Sequence, residues 1–278
     1  MLIWLFFLVA MLPFVAVAGL AALAAFSVLY LNGVAPDRFE SEDLRRQRGP
    51  VLPSTRIGAI ELLLGFLVML FVPIGLLKLG LVEITAAPGS PERLAVQGLG
   101  LVAALVFLVG VDRLRGGRGM LPWGGGKISR PVFAFFAMLP MMALVAIWNR
   151  HLVEGLLGGL IPGELVEGMH ELQGGAFWMS LSIALLIGPA LEELLFRGAV
   201  FAAAARMAQA GDRSPFFVAV VFPAVLFAVV HPPAAWIPIL FLGLALGCVR
   251  LHGHGIRDCI ILHAAYNFVA FLLTYPAS

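Results

Sequence analysis

The sequence predicts an all-α fold: a polytopic membrane protein with about eight transmembrane helices. Three observations predict it. The first is composition. Of 278 residues, 61% are hydrophobic and only 12% charged, with a mean hydropathy of +1.01. A soluble domain carries about 25% charged residues, and a fold of this length in water could not bury so much apolar surface. The second is run length. The apolar stretches are continuous over about 20 residues, as a spanning helix needs, and lack the alternation of a membrane barrel. The third is the placement of Lys and Arg in alternate loops.

Eight spans follow in order. The first is Leu2 to Leu31, which holds no charge. It lacks a basic leader and exceeds the apolar run of about 7–15 residues in a signal peptide, so it reads as a retained span. The second runs from Ile57 to Leu81, the third from Leu94 to Val111, and the fourth from Pro131 to Trp148. The fifth, Phe177 to Ala205, contains Glu192, Glu193 and Arg197. The sixth is Pro215 to Val230, the seventh Trp236 to Leu251, and the eighth Cys259 to Tyr275. The sixth and seventh are short and are separated by His231-Pro232-Pro233.

Basic residues alternate with these spans. The loop after the first holds Arg38, Arg45, Arg46, Arg48 and Arg56; that after the third holds Arg113, Arg115, Arg118, Lys127 and Arg130. Arg206 and Arg213 follow the fifth, and Arg250 and Arg257 the seventh. The remaining loops hold only Arg93 and Arg150. The positive-inside rule then puts both termini outside the cytoplasm. The location expected is multi-pass in a bacterial inner membrane, with membrane lipid as the surroundings.

Several function classes drop out. A net charge of +2 leaves no nucleic-acid footprint. Cys248 and Cys259 make neither a disulfide framework nor a zinc pattern, and read as small buried side chains. Gly116–Gly126 is a Gly-rich connector without a phosphate-binding signature. Asn32–Arg56 reads as a solvated segment. Glu154–Gln173 reads either as a pair of interfacial helices broken at Pro162 or as a plain loop. His252 and His254 fall in a Gly-rich turn and read as loop residues. No internal repeat of the kind found in many transporters is visible.

A charge inside a bilayer costs roughly 2.5–3.5 kcal/mol on insertion scales, so each one needs a reason. Glu61 is expected to snorkel or to pair near Arg56, and Lys78 to snorkel at its helix end. The fifth span is harder to explain away. Glu193 and Arg197 are spaced i, i+4 and can pair on one face. A buried ion pair that fixes packing accounts for both, but it leaves Glu192 about 100° around the helix, a second carboxylate without a partner. The sixth span ends in Phe227-Ala228-Val229-Val230-His231. The eighth carries His263 and Asn267 at i, i+4 on one face.

Taken in order, Glu-Glu-x-x-x-Arg, Phe-x-x-x-His and His-x-x-x-Asn resemble the three motifs of the type II CAAX prenyl endopeptidase and bacteriocin-processing family, the CPBP or Abi proteases. The resemblance covers roughly Phe177 to Tyr275, a core of about residues 177–275 within a single membrane domain. The four spans before residue 150 carry no motif. The resemblance implies an intramembrane endopeptidase acting on a membrane-associated protein, a peptide or a C-terminal tail. It implies Glu192 as general base with His231 as its partner in holding water. It implies His263 and Asn267 at the oxyanion, with Glu193 and Arg197 in support.

The residue types suit that chemistry. A carboxylate in a low dielectric is a stronger base, and His and Asn supply donors to a tetrahedral intermediate. Two His and a Glu would also fit a zinc site, but no HExxH is present and Asn267 is a poor zinc ligand, so the expected mechanism is metal-free with no cofactor. A non-catalytic scaffold or immunity protein and a proton-coupled transporter are the alternatives. One geometric difficulty stands. The span boundaries put His231 near the outer face and His263 within two turns of the inner one. They can share a site only if the sixth helix is displaced or ends at depth.

Overall fold

The computed structural model describes residues 55–80, 90–117, 131–145 except 133 and 141, 172–210, 217–232, 235–251 and 255–274. Among them there are helices and no strands. We number the helices α1 (Ala59–Lys78), α2 (Pro91–Leu114), α3 (Gly174–Met207), α4 (Phe222–Val229), α5 (Trp236–Leu251) and α6 (Ile256–Thr274). Helical residues between 131 and 145 add Ala134, Met138 and Val145 to the core. The first expected span, most of Asn32–Arg56, of Gly116–Gly126 and of Glu154–Gln173, and His252 and His254 lie outside the described residues.

Among the described residues, three helices are long and apolar enough to cross a bilayer: α1, α2 and α3. Their outward faces are apolar. Ile60, Leu63, Leu67, Leu70, Phe71 and Ile74 stand exposed along α1, and Val102 and Val106 along α2. Only 17% of the α1 window is buried inside the protein, so most of that apolar surface is left for lipid. This is an integral membrane protein.

Small residues set the helix spacing. A Cβ on Gly100 would run into the Met69 carbonyl, and one on Gly65 would lie 3.0 Å from Leu108. These glycines let α1 and α2 approach closely, as small residues do between membrane helices. Gly243 and Gly247 of α5 do the same against Ala224 and Val220. α2 starts on Ser90, whose Oγ accepts from the Arg93 N–H at 3.3 Å, with Pro91 in the first turn.

Two helices contain π turns. α3 is π-helical at Ile183–Ile187 and again at Leu194–Val200, bracketing the α-helical turn Gly188–Glu193. A third π turn, Phe217–Val221, leads into α4. Two of the three are followed within two residues by a proline, Pro189 and Pro223. Proline removes one helical N–H and crowds the preceding turn, and a wider turn relieves that crowding.

At one end, polar side chains tie three helices together. Asp112 is buried and accepts from Thr55 Oγ1 at 2.9 Å and from the Arg56 N–H at 2.6 Å. Arg206 Nη1 donates to the Thr55 carbonyl at 3.2 Å. Glu61 was expected to snorkel or pair near Arg56. It is buried and it pairs: it takes the Gly58 N–H at 2.8 Å and meets Arg115, at the end of α2, at 2.6 Å. The choice of partner has a plain cause. The nearest cation in sequence is not the nearest in space once α2 packs its end against α1. The Arg56 N–H meanwhile is held by Asp112.

Cys248 and Cys259 are buried thiols, as expected of small core side chains.

Candidate active site

The site lies where α3, the end of α4 and α6 converge. Glu192 and Glu193 fall in the α-helical turn between the two π turns of α3, about halfway along that helix. His231 follows the last turn of α4. His263 and Asn267 lie on α6, which packs against this part of α3.

Glu192 stands between two imidazoles. Its Oε1 lies 4.0 Å from His231 Nε2, and its Oε2 lies 3.6 Å from His263 Nε2. The difficulty over depth is thereby resolved. The apolar helix Val218–Val229 rises about 18 Å at 1.5 Å per residue, well short of a hydrocarbon core of about 30 Å. Its described part is thus too short to require His231 to reach the far face, and it carries His231 to Glu192. The Trp236 indole then donates to the His231 carbonyl at 2.8 Å and holds the turn that follows.

Glu193 faces the interior. Its Oε1 accepts from Arg197 Nη1 at 3.1 Å and meets His263 Nδ1 at 2.9 Å. Arg197 Nη2 reaches the Gly243 carbonyl of α5 at 3.2 Å. The i, i+4 pairing read from the sequence is therefore present, and it carries a third member, His263. Glu193, Arg197 and His263 are sealed in the protein, whereas the side chains of Glu192 and His231 keep 21% and 22% exposure. The trio is thus closed off, and the pair is open to a molecule from outside.

His231 is fixed by its own helix. Its Nδ1 lies 2.6 Å from the Phe227 carbonyl, one turn earlier. A carbonyl only accepts, so Nδ1 carries the hydrogen and Nε2 of the neutral ring has a free lone pair. That lone pair faces Glu192.

Asn267 donates from Nδ2 to the Ala184 carbonyl at 3.1 Å. The sequence of α3 explains why this carbonyl is free. Within the π turn the Gly188 N–H bonds to Ile183 O. The next π-type donor in register for Ala184 O would be residue 189, and Pro189 has no N–H. One amide hydrogen of Asn267 is thus spent on the backbone and the other remains for a ligand.

Phe227 joins the groups, and sequence reasoning had assigned it no role beyond its place in a motif. Its ring lies edge-on to Phe196 at 4.9 Å, to His231 at 4.7 Å and to His263 at 5.6 Å, and the Arg197 guanidinium sits 4.5 Å from its centroid. Ala184, Pro189 and the Gly243 carbonyl were also missed. The signal available for Phe227 was its i−4 position to His231. Pro189 was visible just ahead of Glu192.

Residues 174–269 match the family model described as Rce1-like, type II CAAX prenyl endopeptidase Rce1-like. The match starts at the first residue of α3 and contains every residue of the site. It agrees with the family that the three motifs resemble. No curated protein and no solved structure matches the chain.

Proposed function

We propose that the protein is an intramembrane endopeptidase of the glutamate type, hydrolysing a peptide bond in a membrane-associated protein or peptide tail, as CAAX proteases do. One observation carries the reading: two acceptors, Glu192 Oε1 and His231 Nε2, face each other at 4.0 Å in the reachable part of the site. Two facing lone pairs repel unless a donor stands between them. A water molecule that donates one hydrogen to each turns its own lone pair toward a substrate carbonyl. Glu192 then takes a proton as the oxygen attacks, which makes it the general base, and His231 is its partner. Asn267 and His263 stand on the next helix face, where donors to the oxyanion are needed. Glu193 and Arg197 hold His263 in place.

This reaction takes its nucleophile from water and its charge stabilisation from side chains. The domain map consistent with it is a core of residues 177–275 preceded by four motif-free spans in the first 150 residues. The location we propose is a bacterial inner membrane with both termini outside the cytoplasm.

The test uses the full chain in proteoliposomes with a prenylated peptide ending in a CAAX sequence, and with detergent-extracted membrane proteins of the source cell as a second substrate pool. Cleavage by the wild type and its loss in Glu192→Ala, with folding intact, supports the assignment. Undiminished cleavage by Glu192→Ala overturns it.

A further inference from the structure

The polar end of the bundle around Asp112 is also a basic end. Arg56 reaches it from the entry to α1, Arg113 and Arg115 from the end of α2, and Arg206 from the end of α3, and all four residues are exposed. Two carboxylates lie among them, and both are covered. Asp112 is taken by Thr55 and the Arg56 N–H, and Glu61 faces Arg115. Four exposed cations over two buried anions leave the surface positive on its outer side. The Arg115 side chain keeps 53% exposure although its Nη1 meets Glu61, and a guanidinium has five N–H donors to place.

An apolar groove begins one turn below these charges. Leu64, Val68, Phe71, Gly75 and Leu79 recur every three or four residues on α1 and, with Phe107 of α2, line a groove of about 550 Å³. Glu61 precedes Leu64 by three residues, so the same stripe leads up to the Glu61–Arg115 pair. From Leu64 to Leu79 the groove rises about 22 Å at 1.5 Å per residue, longer than one leaflet, which is half of a hydrocarbon core of about 30 Å. Leu114, between two of the arginines, is 89% exposed, so cations and bare apolar surface share this rim.

We infer that this groove and its basic rim form a binding site for one anionic phospholipid, with the phosphate against Arg56, Arg113 and Arg115 and one acyl chain along α1 from Leu64 to Leu79. The inference stands apart from the peptidase reading. Each half of the site selects a different half of the ligand. The arginines attract a negative headgroup at the membrane surface, and the groove takes a hydrocarbon chain of about one leaflet's depth. A free phosphate leaves the groove empty. An uncharged isoprenoid or an apolar helix leaves the arginines unanswered. A lipid seated here touches α1 and α2 together, and so holds the pair as a ligand that binds only the folded state.

The test uses the full chain in nanodiscs of phosphatidylcholine with a rising share of phosphatidylglycerol of the same acyl chains. Phosphatidylglycerol should raise the thermal midpoint and stay bound in native mass spectrometry, and a photoactivatable acyl chain on it should label residues 64–79. Each cation near the surface contributes about fivefold, so Arg56→Gln with Arg113→Gln lowers the preference for phosphatidylglycerol about 10- to 30-fold. Arg115 is left in place because it pairs with Glu61. Gly75→Leu fills the groove, where no atom lies within 4 Å of an added Cβ, and reduces retention of the lipid while the midpoint in pure phosphatidylcholine holds. Equal retention of phosphatidylcholine, or a preference unchanged in either variant, overturns the site. Inorganic phosphate that reproduces the shift in phosphatidylcholine makes the ligand a free anion and overturns the lipid. Label missing from residues 64–79 shows the groove covered by something else, such as the apolar run Leu2 to Leu31, and overturns the site as well. Label displaced by the prenylated CAAX peptide assigns the groove to a substrate anchor instead.

Discussion

His263 Nδ1 lies 2.9 Å from Glu193 Oε1, so a single carboxylate oxygen links α6 to α3 while also taking the Arg197 guanidinium. Arg197 and His263 meet this oxygen directly, and the Gly243 carbonyl, Phe227 and Glu192 lie one contact beyond them. That makes the site sensitive to substitutions which never touch a substrate.

Arg197 balances the buried charge of Glu193. Arg197→Met keeps the length of the side chain and removes the charge. Breaking one side of a buried ion pair costs about 3–5 kcal/mol, because the remaining charge is left uncompensated. The expected outcome is a lower thermal midpoint in detergent and loss of cleavage. A midpoint equal to that of the wild type contradicts the pairing.

In the proposed reaction Asn267 offers its second amide hydrogen to the oxyanion. Asn267→Ala removes it, and the loss of one such donor lowers kcat about 10²- to 10³-fold. KM for the CAAX peptide should change far less. Steady-state kinetics in proteoliposomes separates the two parameters.

Pro189 keeps the Ala184 carbonyl available to Asn267. Pro189→Ala restores an N–H at residue 189, which competes for that carbonyl. The variant should be at least as stable as the wild type, yet kcat should fall about 10- to 100-fold as Asn267 loses its anchor. Equal kcat would show that the anchor is unimportant.

Asp112 lies at the polar end of the bundle and touches none of the site residues. Asp112→Ala leaves the Thr55 hydroxyl and the Arg56 N–H without their acceptor, at a cost of about 1–3 kcal/mol. Thermal stability should drop while the pH profile of the surviving enzyme keeps its shape.

Chelation tests the metal-free reaction. Activity should survive dialysis against EDTA. Activity lost to EDTA and restored by zinc would reassign Glu192, His231 and His263 as ligands.

Much of the site was legible because lipid penalises charge. Glu192, Glu193 and Arg197 stand out in an apolar run, and His263 and Asn267 share a face by spacing alone. Glu193 and Arg197 were paired correctly for the same reason. What stayed hidden depended on backbone register or on other helices. No residue pattern announces a π turn. Pro189 and Pro223 mark two of the places, but not which carbonyl is released. Glu192 was placed about 100° from the Glu193 face, with no partner, yet both carboxylates reach His263, from opposite sides of its ring. Arg115 as the partner of Glu61 follows from the packing of α1 against α2, which the local sequence does not encode. The depth of His231 was obscured because Pro215–Val230 reads as one apolar run, whereas the described part of that helix is too short to cross.

The break after α4 at His231 bears on how the proposed hydrolysis would proceed within a bilayer. A helix that quits midway exposes polar main chain at the level of the acyl tails, and that main chain is tolerated only beside protein or a wet recess. In the proposed reaction such a recess would bring solvent to Glu192 and His231, the partly exposed pair. A tethered polypeptide can then be cut while its greasy anchor stays dissolved in the surrounding leaflet, with no need to haul the scissile bond out to bulk water.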